Sequence, residues 1–188
     1  MMNAPNFDSL LPLSVTNYLT SASYALHRCD HMQFAQAQHM QIMNICNEPR
    51  IYNLLFRKRR RGVPYRLQDA RGFTQWGVDG WRAERYFLFF VVTAKNEIVA
   101  AVDIKSSNLT SSEIGYWCSE HHRGVMTNTI TALTMLMSSA GFVKAHALVL
   151  PTNAKSAGVL LRNGFELLGS AERDGITYNK YNKVLTAT

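Results

Sequence analysis

The stretch Glu113–Phe165, EIGYWCSEHHRGVMTNTITALTMLMSSAGFVKAHALVLPTNAKSAGVLLRNGF, decides the fold. Glu113-Ile114-Gly115-Tyr116-Trp117 reads as a strand, and Cys118 to Gly124 as a turn. From Val125 to about Ala140 the pattern is helical: Val125, Ile130, Leu133 and Met137 fall near one face, with Thr127, Asn128, Thr131 and Thr134 on others. Gly141 supplies the stop. Lys144 to Leu150 is short and mostly apolar, as a buried strand is, and Pro151 ends it. Asn153 can then cap a second helix that closes at Asn163-Gly164-Phe165.

This order is a strand–helix–strand crossover with a tight turn opening into its helix. At such a turn the first amides of the helix have no partner inside it, and the dipole presents its positive end. The turn His121-His122-Arg123-Gly124 is therefore a natural seat for phosphate.

These residues resemble the GNAT superfamily of acetyl-CoA-dependent N-acetyltransferases, most of all its ribosomal-protein-alanine/serine (RimJ/RimL-like) branch. The family signature Gln/Arg-x-x-Gly-x-Gly/Ala falls on His121, His122, Arg123, Gly124, Val125 and Met126. Gly124 matches strictly; His121 stands for the Gln/Arg and Met126 for the small residue, and the turn is shorter than is usual in the branch. The second signature, Asn153-x-x-Ser156 followed by Leu160 to Phe165, fits more closely. The resemblance runs from about residue 20 to 186, most closely over 97–170.

It implies a mixed α/β (α+β) acyl-CoA N-acyltransferase fold, a central and mostly antiparallel sheet flanked by helices. It also implies acetyl-CoA as cosubstrate, with no metal, and a primary amine as acceptor, on a protein N-terminus or a small molecule. The expected cradle is the row of N–H groups from His122 through Arg123, Gly124, Val125 and Met126 to Thr127, because peptide amides bind pyrophosphate whatever their side chains. Arg123 adds charge, and Asn153 serves as cap and as a hydrogen-bond partner of the pantetheine arm.

Acetyl transfer from a thioester to an amine needs a base for the amine and an acid for the departing thiolate. By resemblance, Ser156 is the acid; Leu160 stands where other members of the superfamily place a Tyr. Glu113, opening the central strand, is the leading base, on the expectation that partial burial raises its pKa towards neutral. A Glu on the solvent side of the strand is the plain alternative, and Glu172 and Asp174 in the closing hairpin are the other carboxylates open to the role. Cys118 lies near the expected thioester path and reads as structural.

The rest of the chain agrees with this reading. A length of 188 residues, 47% of them hydrophobic and 18% charged, is that of one folded domain and not of a disordered chain. The +7 net charge favours an acidic partner: an anionic cofactor, a ribosome or a nucleic acid. Cys29, Cys46 and Cys118 lack paired spacing and suggest a reducing, cytoplasmic setting. No basic leader with a long apolar core opens the chain and no run of about 20 apolar residues occurs, so neither a secretory signal nor a membrane span is expected.

Residues 1–18 read as a loosely held tail containing the run Leu10-Leu11-Pro12-Leu13, and 19–188 as a single N-acetyltransferase domain, monomeric or homodimeric. Tyr24–His27 suggests the first strand, with Asp30 capping a helix through Cys46. His27, Cys29, Asp30 and His31 could ligate metal, but no distant Cys/His pair completes a tetrahedral set. Asn47 to Tyr52 and Pro64 to Trp76 resemble the family's turn after its first helix and its second helix, which line the acceptor side. Between them, Arg57-Lys58-Arg59-Arg60-Arg61 forms a basic loop for an acidic or ribosomal partner, or merely a solvated one. Phe87–Val92 and Ile98–Ile104 read as a hairpin, and Glu166–Ser170 and Thr177–Leu185 as a closing strand pair around Asp174-Gly175. Beside the enzyme, the sequence leaves open a basic module that keeps the fold without catalysis and docks on RNA or a ribosome through residues 57–61.

Overall fold

The computed structural model describes residues 5–7 and 12–185. They build an eight-stranded sheet in the order β1-β2-β3-β4-β5-β6-β8-β7. Its strands are β1 (Leu13–Thr16), β2 (Ser23–Arg28), β3 (Phe87–Val92), β4 (Ile98–Ile104), β5 (Ser112–Cys118), β6 (Lys144–Val149), β7 (Glu166–Arg173) and β8 (Ile176–Val184). The helices are α1 (Gln36–Cys46), the single turn α2 (Pro49–Ile51), α3 (Leu67–Arg82), α4 (Val125–Ser139) and α5 (Ala154–Arg162). Neighbouring strands are antiparallel except β5 and β6, the parallel pair joined by α4. The mixed, mostly antiparallel sheet and its crossover are those the sequence predicts.

The hairpin β3–β4 is the floor of the core. Every residue of FLFFVV and of IVAAVDI is buried, so the sheet is covered on both faces here and neither strand needs alternation. Helix α3 lies on β3, α1 on β4 and on α3, and α4 packs against β1 and α5. Gly77 and Gly80 let α3 approach closely: a Cβ at Gly77 would stand 2.5 Å from Leu88 Cδ2, and one at Gly80 would run into the Tyr86 ring.

Three expectations need correction. The tail is not loose where it is described. Leu13–Thr16 pairs in register with Ser23–Leu26, and Phe7 is buried against Trp81 of α3 and Phe87 and Phe89 of β3, because a strand partner and a cluster of rings hold these residues. Leu10 and Leu11 lie outside the described residues. Asp30 does not cap α1, which begins only at Gln36; its carboxylate is held by Arg28 at 3.0 and 3.1 Å inside a short 3₁₀ turn. The second helix begins at Leu67, not at Pro64, with Asp69 accepting from the Arg66 amide at 2.7 Å, and runs on to Arg82.

Candidate active site

The site follows from one irregularity of the sheet. β5 and β6 pair only at Ser112↔Ala145 and Glu113↔His146. Beyond those rungs β5 stays with β4 and β6 with β8, so the two strands splay and leave backbone groups facing a gap. A cleft of about 840 Å³ fills that gap, walled by Gly115–Cys118, by Ala147–Leu150, by α5 and the turn before α4, and by the segment 50–76.

At one end lies the turn expected to seat an anion. Gly124 sits at φ 101°, where other residues are strained, and a Cβ there would press on Asn17 Oδ1 and on Leu19 Cγ at 2.8 Å. His122 lies outside the positive-φ region, so its lack of a glycine's freedom does not distort the turn. The turn is held from outside: the Asn17 side-chain amide donates to Arg123 O at 3.0 Å and the Tyr18 amide to Gly124 O at 3.2 Å. The Glu48 carboxylate accepts from Ser119 Oγ and from the Glu120 amide, both at 2.6 Å.

Arg123, Gly124, Met126 and Thr127 line the cleft. His122 and Val125 do not present side chains to it. The imidazole meets Tyr24 Oη at 2.9 Å, and Val125 is fully buried in the core. Burial holds His122 below its ordinary value of 6.5, so it brings no positive charge at neutral pH. The charge comes instead from Arg123, Arg50, Lys155 and Arg162, which share the cleft wall. Desolvation, then the charges of Arg50 and Arg123, hold the Lys155 ammonium below its ordinary value, against the Glu120 carboxylate 3.9 Å away.

At the first turn of α5, Asn153 Oδ1 accepts from the Ser156 amide at 3.3 Å and from Arg50 Nη2 at 3.2 Å. The expected cap is thus also the tie between α5 and the segment bearing α2. Ser156 is not alone: Tyr116 Oη lies 2.6 Å from Ser156 Oγ and also donates to Ser156 O at 3.2 Å. Burial raises the Tyr116 phenol to about 12, which keeps it protonated at neutral pH. Sequence reasoning missed Tyr116. The available signal was a tyrosine inside the central strand, whose hydroxyl needs a polar partner once covered.

Glu113 lines the cleft too, but not as expected. Burial pushes its carboxyl up, yet the Arg173 hydrogen bonds at 3.0 and 2.5 Å, with the charges of Lys105 and Arg173, outweigh burial, and its pKa is lowered. The expected rise towards neutral does not occur. Nor does the closing hairpin offer a carboxylate to the cleft. Successive strand side chains alternate faces, so Arg173 reaches Glu113 while Glu172 points away, and Asp174 sits in the turn at φ 53°. A second pair, Asp103–Lys105 at 2.8 Å, crosses the face of Gly115.

The basic run is not one free loop. Arg60 is drawn inward, donating to Asp69 at 2.7 Å and to the carbonyls of Val63 and Pro64, with its guanidinium over the Tyr65 ring. Arg57 bonds Asn53 at 3.4 Å; Lys58 and Arg61 are exposed. Of the five residues only Arg59 reaches the cleft wall. Among the described residues no group of three or more His, Cys, Asp or Glu is placed to hold a metal, and no helix is long and apolar enough to cross a membrane.

Solved structures that superpose on this fold include several acetyltransferases. RimJ of Mycobacterium smegmatis in complex with CoA-disulfide superposes with a TM-score of 0.71 at 16% identity, over 92% of this chain and 86% of that one. The microcin C7 self-immunity acetyltransferase MccE, in complex with acetyl-CoA and AMP, gives 0.69 at 21% identity, over 86% and 92%. Spermidine N-acetyltransferase of Vibrio cholerae, with CoA and spermine, gives 0.66 at 14% identity, over 87% and 96%. At these identities the likeness is one of fold. A comparison with curated proteins finds no match. Residues 32–166 match the acetyltransferase (GNAT) domain family, which is most of the chain, so this protein belongs to the GNAT acetyltransferases.

Proposed function

We propose that the protein transfers the acetyl group of acetyl-CoA to a primary amine, on a protein N-terminus or a small molecule, by direct attack with both substrates in the cleft. The observation that carries this reading is the β5–β6 splay, with a cation-rich, glycine-entered helix N-terminus at one end and the Tyr116–Ser156 hydroxyl pair in its wall. Acetyl-CoA supplies an acetyl group activated as a thioester. Everything else is supplied by this chain.

The amides from Arg123 to Thr127 and the side chains of Arg123, Arg50 and Lys155 hold the anionic end, the expected His122 amide being already given to Ser119 O at 3.1 Å, and Asn153 is the polar group beside the pantetheine arm. Pyrophosphate suits this seat because Arg123, Arg50 and Lys155 together outweigh Glu120, the carboxylate 3.9 Å from Lys155. Glu113, ionised and fixed by Arg173, orients the incoming ammonium and receives its proton through water. The amine nitrogen then bonds to the carbonyl carbon, the carbon–sulfur bond breaks, the Ser156 hydroxyl protonates the departing thiolate, and the second proton shed by the nitrogen returns through water to Ser156 Oγ. With the single Tyr116 proton turned from Ser156 O to Ser156 Oγ, the serine proton is free to point at the sulfur. Juxtaposition of the two substrates contributes much of the acceleration.

Titration calorimetry with acetyl-CoA, followed by an acceptor screen reading free CoA thiol, tests this reading. Saturable binding with amine-dependent thiol release is the expected result. No binding by the folded protein would overturn it; tight binding with no turnover on any amine would leave a cofactor-binding module in its place.

A further inference from the structure

We propose, resting on the acetyl-transfer reading, that the acceptor is an amine borne on an aromatic ring system with an anionic group, and not a polycation. Part of the cleft wall, from residues 56–76 and β5, is a set of rings. Phe56 and Tyr65 stand 5.0 Å apart, Phe73 stacks on Trp76 at 5.9 Å with 13° between planes, and Phe73 meets Trp117 at 6.2 Å. All five line the cleft, and Phe56, Phe73 and Trp76 are only half-buried. Aromatic surface left open beside a reaction centre is favourable to cover, and a flat ring covers it with stacking as well as burial.

The charges of the cleft choose among amines. The three carboxylates that line the cleft are already paired, Asp103 with Lys105 at 2.8 Å, Glu113 with Arg173 and Glu120 with Lys155 at 3.9 Å. One of them can meet the reacting ammonium, but no unpaired carboxylate waits for a second. Arg59 stands on the same wall with no hydrogen-bond or ion-pair partner among the described residues. A carboxylate or phosphate distal to the ring would meet it; a polyamine would bring its further charges against it.

The test compares kcat/KM for tyramine phosphate, 4-(2-aminoethyl)benzoate, tyramine, butylamine and spermidine, with ligand binding read by tryptophan fluorescence in the presence of CoA. The first two are expected to exceed tyramine, tyramine to exceed butylamine, and spermidine to be poorest; whichever anion leads identifies phosphate or carboxylate as the group Arg59 takes. Arg59→Ser should cut the preference for the anionic amines over tyramine about tenfold, as loss of a charge-assisted hydrogen bond does, while Arg61→Ser, away from the wall, leaves that preference in place. Phe73→Leu should shrink the advantage of tyramine over butylamine. Spermidine as the best acceptor, or equal use of butylamine and tyramine, overturns the inference. Binding of tyramine phosphate without its acetylation, by protein that does bind acetyl-CoA, would count against the transfer reading while leaving the ring-and-anion site standing.

Discussion

Replacing Tyr116 by Phe removes one oxygen from the centre of the cleft, and the geometry fixes what it should cost. The hydroxyl makes two contacts, 2.6 Å to Ser156 Oγ and 3.2 Å to Ser156 O. In the resting protein these are neutral hydrogen bonds, worth about 0.5–1.5 kcal/mol net, so Tm should fall by only a few degrees. In the proposed transition state Ser156 gives up its proton and Oγ carries growing negative charge. A hydrogen bond to such a group is worth about 1.5–3 kcal/mol, or roughly 10- to 150-fold in kcat. Ser156→Ala removes the acid itself and should lower kcat by about 10²–10⁴-fold with little change in acetyl-CoA affinity. Its stability cost should stay small, because Tyr116 can still donate to the carbonyl of residue 156.

The decisive measurement is the double variant. If Tyr116 acts only through Ser156, then Tyr116→Phe added to Ser156→Ala costs nothing further in kcat. Initial rates of CoA thiol release at saturating acetyl-CoA read this directly. A Tyr116→Phe protein with unchanged kcat, or losses that multiply in the double variant, would refute the relay and leave the tyrosine a packing residue.

Three more outcomes are expected. Gly124→Ala forces a Cβ into the φ 101° position and against Leu19 Cγ at 2.8 Å, so acetyl-CoA affinity measured by calorimetry should drop at least about tenfold in a protein still folded by circular dichroism; unchanged affinity would remove the turn from the cofactor seat. Glu48→Ala releases Ser119 Oγ and the Glu120 amide from their 2.6 Å partners and should raise KM for acetyl-CoA about tenfold more than it lowers kcat, with Glu48→Gln intermediate; equal falls in kcat and kcat/KM would contradict a role in holding the turn. Glu113 faces Arg173, Lys105 and His146, and its folded pKa lies below the ordinary 4.5, so its contribution to stability is complete above that pH and fades as the pH falls through the lowered value. Urea midpoints from about pH 7 down to about pH 3 should therefore show wild type and Glu113→Gln converging in acid; a constant gap would mean that the ion pair is not what Glu113 contributes.

How much of this was legible beforehand depends on the reach of each interaction. Elements set by contiguous pattern read directly: the apolar hairpin Phe87–Val92 and Ile98–Ile104, the helix opening at Val125, and the Asn153 cap that takes the Ser156 amide. These depend on side-chain periodicity and on capping groups within a few residues, and both are written locally. The family signatures are local as well, which is why Gly124, Asn153 and Ser156 could be marked without coordinates.

Tertiary structure decided what crosses between elements. Sequence placed Glu113 on the central strand, but Arg173, sixty positions on, turned an expected rise in pKa into a fall. Ser156 was legible from its motif, while its partner Tyr116 depended on how far β5 and β6 splay. The basic run looked uniform because charge is counted per residue; folding drew Arg60 to Asp69 and left Arg59 on the cleft wall. The start of the chain looked loose because a strand of four residues gains its stability from β2 alongside it, which the residues themselves do not announce. Local pattern fixes what a segment can be, and long-range pairing fixes the charge state and company of the groups that segment carries.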